Sequence, residues 1–533
     1  MGSPEMEVGV QEAILERSAA SRADRLQALR TSDLALVGSL AAAACLLHFA
    51  AAGRYGFFRD ELYYAACGQH LAWGYVDHAP LIAVVAWFTR RLLGDSLFSL
   101  RFLPALSGGA KIFLTAWMVR ELEGKRFAQL LAATAMLFCP IYLSMDSFLS
   151  MNSFEPLFWM GCVAIAMRVA KQGSPRLWLL FGVVAGVGIL NKHSTLFFGL
   201  AVLLGLLASS GTRHLRNPWI WLGGLIAFAI FLPNLLWEIQ NHFPTIEVLR
   251  NAAQTKNADL SWLEFIGQQA LLVHPLGAPI CLAGLWFFFA TDPGRPYRFL
   301  GWTYVFLLLQ MLLLKGRIYY LAPIYPMLFA AGAVWIESQF ALRQWRWARQ
   351  AVLIPLAVGG MVATPLAIPI LPVKASAAYS RFWDVEKVQV EKSASGELPQ
   401  FFADMFGWPE QAAVVASVYA KLDPAERARC AILAENYGEA GAVDYFGPAY
   451  GLPRAISGHN NYYLWGPRGY TGELVIAVGM KLEDLRPLFG SIEQVATISH
   501  PYAVPDENNL PVYLCRNPRM PLSQAWPRLK FYG

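Results

Sequence analysis

The stretch FFRDELYYAACGQHLAWGYVDHAPLIAVVAW, Phe57 to Trp87, sets Asp60 beside Glu61 and Asp77 beside His78 among aromatic and aliphatic residues. Adjacent acids suit proton abstraction, one acting as base while its neighbour orients it or binds an ion. Apolar surroundings disfavour the charged carboxylate and move its pKa toward that of a useful base. The plain alternative for Asp60 is an ion pair with Arg59 or Arg54 that merely ends a helix. A further acid, Glu155, stands before Pro156 at the start of an apolar run in MDSFLSMNSFEPLFWM. An acid at such a boundary points to a substrate or metal role; its alternative is a carboxylate favoured by a helix dipole. Asp146 and Asn152 in the same segment are weaker candidates.

Cations complete the set. Lys315 and Arg317 close one apolar run, and Tyr319, Tyr320 and Tyr325 open the next. Lys192 and His193 lie between two others, and His274 sits alone inside a run, where it reads as a satisfied core histidine. Arg receives phosphate through its flat fork and Lys as a point charge; otherwise such residues simply snorkel to a membrane surface. Carboxylates, cations and aromatics at one boundary suit transfer from a lipid-linked phosphate ester. The acid would activate an acceptor nucleophile and the cations would stabilise the departing phosphate. Neither a Walker A sequence, GxGxxG nor HExxH occurs, so nucleotide, dinucleotide and zinc-hydrolase readings lack support.

The elements that must position these groups follow from composition. The 533 residues are 56% hydrophobic and 15% charged, against about 25% charged in a soluble domain, which indicates a membrane protein. The net charge of +6 is spread over short loops rather than gathered in a patch, so no nucleic-acid partner is expected. Apolar runs recur near 33–52, 98–118, 127–144, 153–168, 176–190, 194–210, 217–236, 264–290, 298–314, 319–338 and 350–371, or about eleven spans. Segment 1–32 has no apolar signal-peptide core, so the first run reads as a retained span. Arg17, Arg22, Arg25 and Arg30 place that segment in the cytoplasm. Alternation puts the remaining basic loops on the same side and the unusual polar residues on the other. The expected architecture is mainly α: a polytopic helical bundle at 33–372, with a large first outer loop at 53–97 and an extracytoplasmic α/β domain at 373–533. The setting is the inner (plasma) membrane, with the lipid bilayer as partner.

In that last region CAILAE, ELVIAVG and PVYLCR read as strands, and PEQAAVVASVYAKL and KLEDLRPLFG as helices, the second closed by Gly490. YGEAGAVDYFGPAYGLPRAISGHNNYYLWGPRGYTG suits binding loops. The loop WEIQNHFPTIEVLRNAAQTKNADLSW either orders over a substrate or stays disordered. Cys430 and Cys515 are open to a disulfide if the region faces an oxidising compartment.

FFRDELYYAACGQHLAWGYVDHAPLIA, SMNSFEPLFWM and KGRIYYLAPIYPMLFAAGA resemble the bacterial branch of the protein O-mannosyltransferase superfamily, glycosyltransferase family 39. These membrane enzymes have the GT-C fold and are similar to the lipid A aminoarabinose transferases. The resemblance implies a polyprenyl-phosphate sugar donor, inversion at the anomeric carbon and an extracytoplasmic acceptor (glycolipid, glycan or protein). It makes Asp60 the first-loop catalytic acid, Glu61 its acidic neighbour and Glu155 the second acid. Lys315 and Arg317 match the basic patch at the donor phosphate, joined in substrate binding by Lys192, Tyr319 and Tyr320. Asp77 and His78 match an acidic–basic pair in which His replaces Lys, which questions phosphate binding by a neutral imidazole. Metal use varies across the fold, so no cofactor is specified and a divalent metal stays open. The alternatives are a secondary transporter or lipid flippase whose outer carboxylates couple to an ion, and a non-catalytic assembly subunit. Against transport, no half-to-half similarity appears.

Overall fold

A computed structural model describes residues 33–171, 173–255, 260–384 and 396–533. Segment 1–32, read as cytoplasmic, and residues 256–259 of the loop after Trp237 lie outside the described residues.

Among the described residues, six helices are long and apolar enough to cross a bilayer: Asp33–Ala51, Leu97–Glu121, Met151–Ala170, Pro218–Gln240, Ile318–Leu342 and Trp347–Ala367. Four shorter apolar helices accompany them, so length and composition do not by themselves deliver the expected eleven spans. Two runs that read as continuous are broken. Cys139 is extended before Pro140, which divides Arg126–Leu137 from Pro140–Met145. His274, with φ 74° before Pro275, divides Trp262–Leu272 from Ala278–Ala290. Proline disfavours a helical residue before it and lacks the N–H that would carry the helix through.

The elements needed below are α1 (Asp33–Ala51), α2 (Arg59–Gln69), α3 (Leu81–Leu93), α4 (Leu97–Glu121), α5 (Met151–Ala170), α6 (Leu177–Asn191), α7 (Thr195–Leu207) and α8 (Pro218–Gln240). Helices α6 and α8 pack closely. A Cβ on Gly182 would come within 2.0 Å of the Gly223 carbonyl oxygen, and in lipid such close backbone packing is a main source of helix association. Helix α3 is amphipathic: Ile82, Ala83 and Ala86 are buried, whereas Val84, Trp87, Phe88, Leu92 and Leu93 are exposed. At 13 residues it reaches about 20 Å, too short to span.

Residues after Gln400 build a five-stranded mixed sheet of order β2-β1-β3-β5-β4. The strands are β1 (Cys430–Ala434), β2 (Ile456–Ser457), β3 (Leu474–Val478), β4 (Phe489–Ile498) and β5 (Leu510–Pro518). Strand β1 runs parallel to β2 and β3, and β5 antiparallel to β3 and β4. Strands β1 and β3 are buried throughout, which explains their unbroken apolar sequence. One face (Cys430, Ile432, Leu474, Ile476) packs into a core shared with α2 and with helices α9 (Trp408–Ala420) and α10 (Tyr437–Phe446). The other (Ala431, Leu433, Val475, Ala477, Cys515) packs on Leu485, Leu522 and Trp526.

Two readings of this region are corrected. KLEDLRPLFG is helical only over Leu482–Leu485, and Phe489 already begins β4. As an edge strand with mostly exposed residues, β4 lacks the alternation that marks a half-buried strand. Cys430 and Cys515 are free buried thiols, not a disulfide. Strand β3 lies between them, pairing Leu474 with Cys430 and Val475 with Cys515. Two strand spacings, about 9–10 Å, exceed the reach of a disulfide.

Candidate active site

Asp60 lies in the first turn of α2, whose N-cap is Phe58. Its carboxylate accepts a 2.8 Å hydrogen bond from the Tyr437 phenol, contributed by the first residue of α10, 377 positions away. The approach of α10 to α2 depends on two glycines: a Cβ on Gly438 would meet the Arg59 side chain at 2.6 Å, and one on Gly441 would meet Leu62 Cβ at 3.1 Å. Asn436 caps α10 through its side chain, with Glu439 returning the bond in a capping box. Arg59 is 3.9 Å from both Asp404 and Glu507 and lies over the Tyr437 ring. Burial opposes its charge, but Asp404, Tyr437, Asp60 and Glu507 outweigh that and raise its pKa.

Glu61, the acidic neighbour, is held by four hydrogen bonds. Fully buried, it accepts bonds from Arg101 Nε (3.0 Å) and Arg101 Nη2 (2.8 Å) and from the backbone N–H groups of Phe58 and Leu149 (2.8 and 2.9 Å). Each oxygen already accepts two bonds, so this carboxylate braces α2 against α4 and the turn before α5.

Asp77 accepts 2.9 Å from Tyr63, whose ring lies 4.6 Å from that of Tyr437. His78 is buried, with Nδ1 2.9 Å from the Ala79 carbonyl oxygen and Nε2 lacking a hydrogen-bond partner. Burial, its largest influence, holds the imidazole below its ordinary pKa despite Asp77 and Asp60. A neutral ring donating from Nδ1 leaves Nε2 as an acceptor. Such a ring offers Nε2 to a proton donor rather than a charge to a phosphate.

A second group forms around Glu155, on α5. Lys192 at the end of α6 donates 2.9 Å to Glu155 and 2.7 Å to Asn152, and Ser194 donates to the other Glu155 oxygen. The Lys192 ammonium sits 4.7 Å from the Tyr320 ring centroid and 5.5 Å from that of Tyr319, within cation–π range. Arg317 donates 3.1 Å to the Tyr319 phenol, and Lys315 lies exposed on the same turn. Residues separated by over a hundred positions thus converge. The groups adjoin through Lys192 and its neighbour His193, which acts electrostatically on His78 and bonds Asn234, which in turn donates to the Trp73 carbonyl.

Asp146 belongs to neither group: it is buried in a 2.5 Å ion pair with Lys111 of α4. His274 is buried and accepts from the Leu276 N–H, a core histidine as read. Among the described residues no cluster of three His, Cys, Asp or Glu could hold a metal. The site residue missing from the sequence reading is Tyr437. Its only signal was the glycine- and aromatic-rich composition of its segment.

The fold that carries these features is found in solved structures of another membrane protein. ArnT from Cupriavidus metallidurans bound to undecaprenyl phosphate superposes with a TM-score of 0.58 at 16% identity, over 90% of this chain and 98% of that one. Its apo form gives the same score and identity over 89% and 97%. The family model for dolichyl-phosphate-mannose-protein mannosyltransferases matches residues 77–237. The lipid A galacturonosyltransferase RgtD of Rhizobium johnstonii is 26% identical over 249 residues, 45% of this chain and 50% of RgtD, so the match spans half the length of that relative.

Proposed function

We propose that the chain is an integral-membrane inverting glycosyltransferase that moves a sugar from a polyprenyl-phosphate donor to an extracytoplasmic acceptor. The observation that carries this is the pairing of Asp60, oriented by Tyr437, with the adjoining Lys192–Tyr319–Tyr320 group at the same end of the bundle. Asp60 takes the proton of the acceptor hydroxyl or amine as that atom attacks the anomeric carbon. The carbon–oxygen bond to phosphate breaks on the opposite face, the configuration inverts, and the polyprenyl phosphate leaves with the bonding pair. Lys192 and Arg317 stabilise the charge that develops on the phosphate, and the tyrosine rings hold the ammonium in place. Glu155 holds Lys192 in position. Relatives crystallised with undecaprenyl phosphate or named for acting on lipid A support the donor class and a glycolipid among acceptors. The positive-inside pattern supports a cytoplasmic N-terminus, about eleven spans and an extracytoplasmic sheet domain at 373–533.

The test is Asp60→Asn in purified, membrane-reconstituted protein supplied with labelled polyprenyl-phosphate sugars and candidate acceptors. Transfer is expected to fall at least a thousandfold with unchanged membrane insertion and melting; full activity in the variant would end the assignment.

A further inference from the structure

The C-terminal end of α2 carries a second polar cluster that the transfer chemistry does not use. Arg454, exposed after the 447–451 turn, donates 3.2 Å from Nη1 to Nε2 of His70, the residue that ends α2. Burial first, then Arg468 and Arg454, hold His70 below its ordinary pKa, so the neutral ring accepts from Arg454. Arg468 stands in the left-handed region, φ 51°, between Gly466 and Gly469. The acid recorded near it is Asp444 at 3.9 Å, and the Arg468 Nε and Nη2 atoms are buried without hydrogen-bond partners. Asp444 is itself committed, accepting 2.8 Å from the Ala455 N–H and 3.1 Å from Tyr462. Arg468 therefore leans on a distant, largely satisfied carboxylate and Arg454 on a neutral ring, an arrangement that an added anion stabilises. Trp465 lies 4.5 Å from the His70 ring, and Leu71, Trp73 and Leu464 are exposed beside it. Exposed apolar residues flanking cations suit a headgroup at a lipid boundary rather than a free ion. Ten residues of α2 separate Asp60 from His70, about 15 Å along the helix, room for one or two sugar rings.

We propose that Arg454 and Arg468 bind a phosphate or carboxylate on a lipid-linked headgroup and so hold the acceptor with its nucleophile toward Asp60. The acceptor role rests on the transferase reading, and binding is therefore measured without turnover. Full-length Asp60→Asn protein in phosphatidylcholine nanodiscs is titrated calorimetrically with dihexanoyl phosphatidic acid, with dihexanoyl phosphatidylcholine and inorganic phosphate as separate arms. Phosphatidic acid is expected to bind more tightly than either. Adding Arg454→Gln and Arg468→Gln together should weaken it at least tenfold, and Arg454→Gln alone, at an exposed position, by a smaller factor. Lys192→Gln, on the donor side, should weaken it less than the double variant does. Unchanged affinity in the double variant, at unchanged melting temperature, overturns the site. Equal affinity for inorganic phosphate overturns the headgroup assignment, and a loss confined to Lys192→Gln returns the binding to the donor site. None of these outcomes depends on whether Asp60 is the base.

Discussion

Glu61 accepts from Arg101 and two backbone N–H groups, whereas Asp60, one residue earlier on the same helix, faces the Tyr437 phenol. The helix turn separates them by roughly 100°, sending one carboxylate into the bundle and the other toward the sheet unit. Removing one partner of a buried ion pair leaves the other charge desolvated and uncompensated, at about 3–5 kcal/mol. Glu61→Ala is therefore expected to lower the melting temperature strongly and to reduce the yield of folded protein, while Asp60→Asn leaves melting unchanged and removes transfer. Thermal unfolding of both variants in one detergent checks this, and a Glu61→Ala protein as stable as its parent would contradict the bracing role. Composition could not separate these neighbours, because Arg101 lies in an apolar run 40 residues away and nothing local couples them. Lys111 and Asp146 escaped pairing for the same reason. Of the charges the sequence singled out at the ends of apolar runs, Glu155 and Lys192 meet in the structure.

At the scale of elements, the site depends on how α10 meets α2. Asn436 and Glu439 fix the first turn of α10, and Gly438 and Gly441 let it approach until Tyr437 reaches Asp60. A leucine at position 441 must displace α2 at Leu62, so Gly441→Leu should depress transfer as Tyr437→Phe does. Loss of a hydrogen bond to a charged group, about 1.5–3 kcal/mol, corresponds to a tenfold or greater fall in kcat. Steady-state rates of both variants, with near-unchanged donor KM, check it; a Gly441→Leu enzyme with parental kcat would show that the contact does not set the carboxylate. Most helix positions were legible because apolar runs and charged loops alternate over the whole bundle. The breaks at Pro140 and Pro275 were not read, since hydrophobicity continues across them. Strand β4 was hidden by its edge position, and the α2–α10 contact by a separation of 377 residues, across which no periodicity carries information.

On the scale of the whole molecule, the junction of helical bundle and sheet unit is a cluster of acids around one arginine, and this makes the junction sensitive to pH. Burial raises Glu507 to about 7, with Arg59 opposing and Asp404 and Glu435 reinforcing. Glu439 is raised as well, by burial first and then by Glu507 and Glu435. Its Oε2 accepts 2.7 Å from the Glu435 N–H, while the Asn436 side chain donates 2.9 Å to Glu507. Both acids hold protons in the folded state that the unfolded chain, with pKa near 4.3, releases. Their contribution to stability is therefore fully present below about pH 4.5 and is lost as pH rises through about 7. The melting temperature of the full chain in detergent should fall between pH 5 and 8. Glu507→Gln, a neutral stand-in for the protonated acid, should flatten that slope. Glu439→Gln should flatten it as well. The slope rather than the absolute temperature is the readout, since a change of packing in a variant shifts melting alike at every pH. A slope unchanged in both variants would place the titrating groups elsewhere and leave the junction a fixed contact.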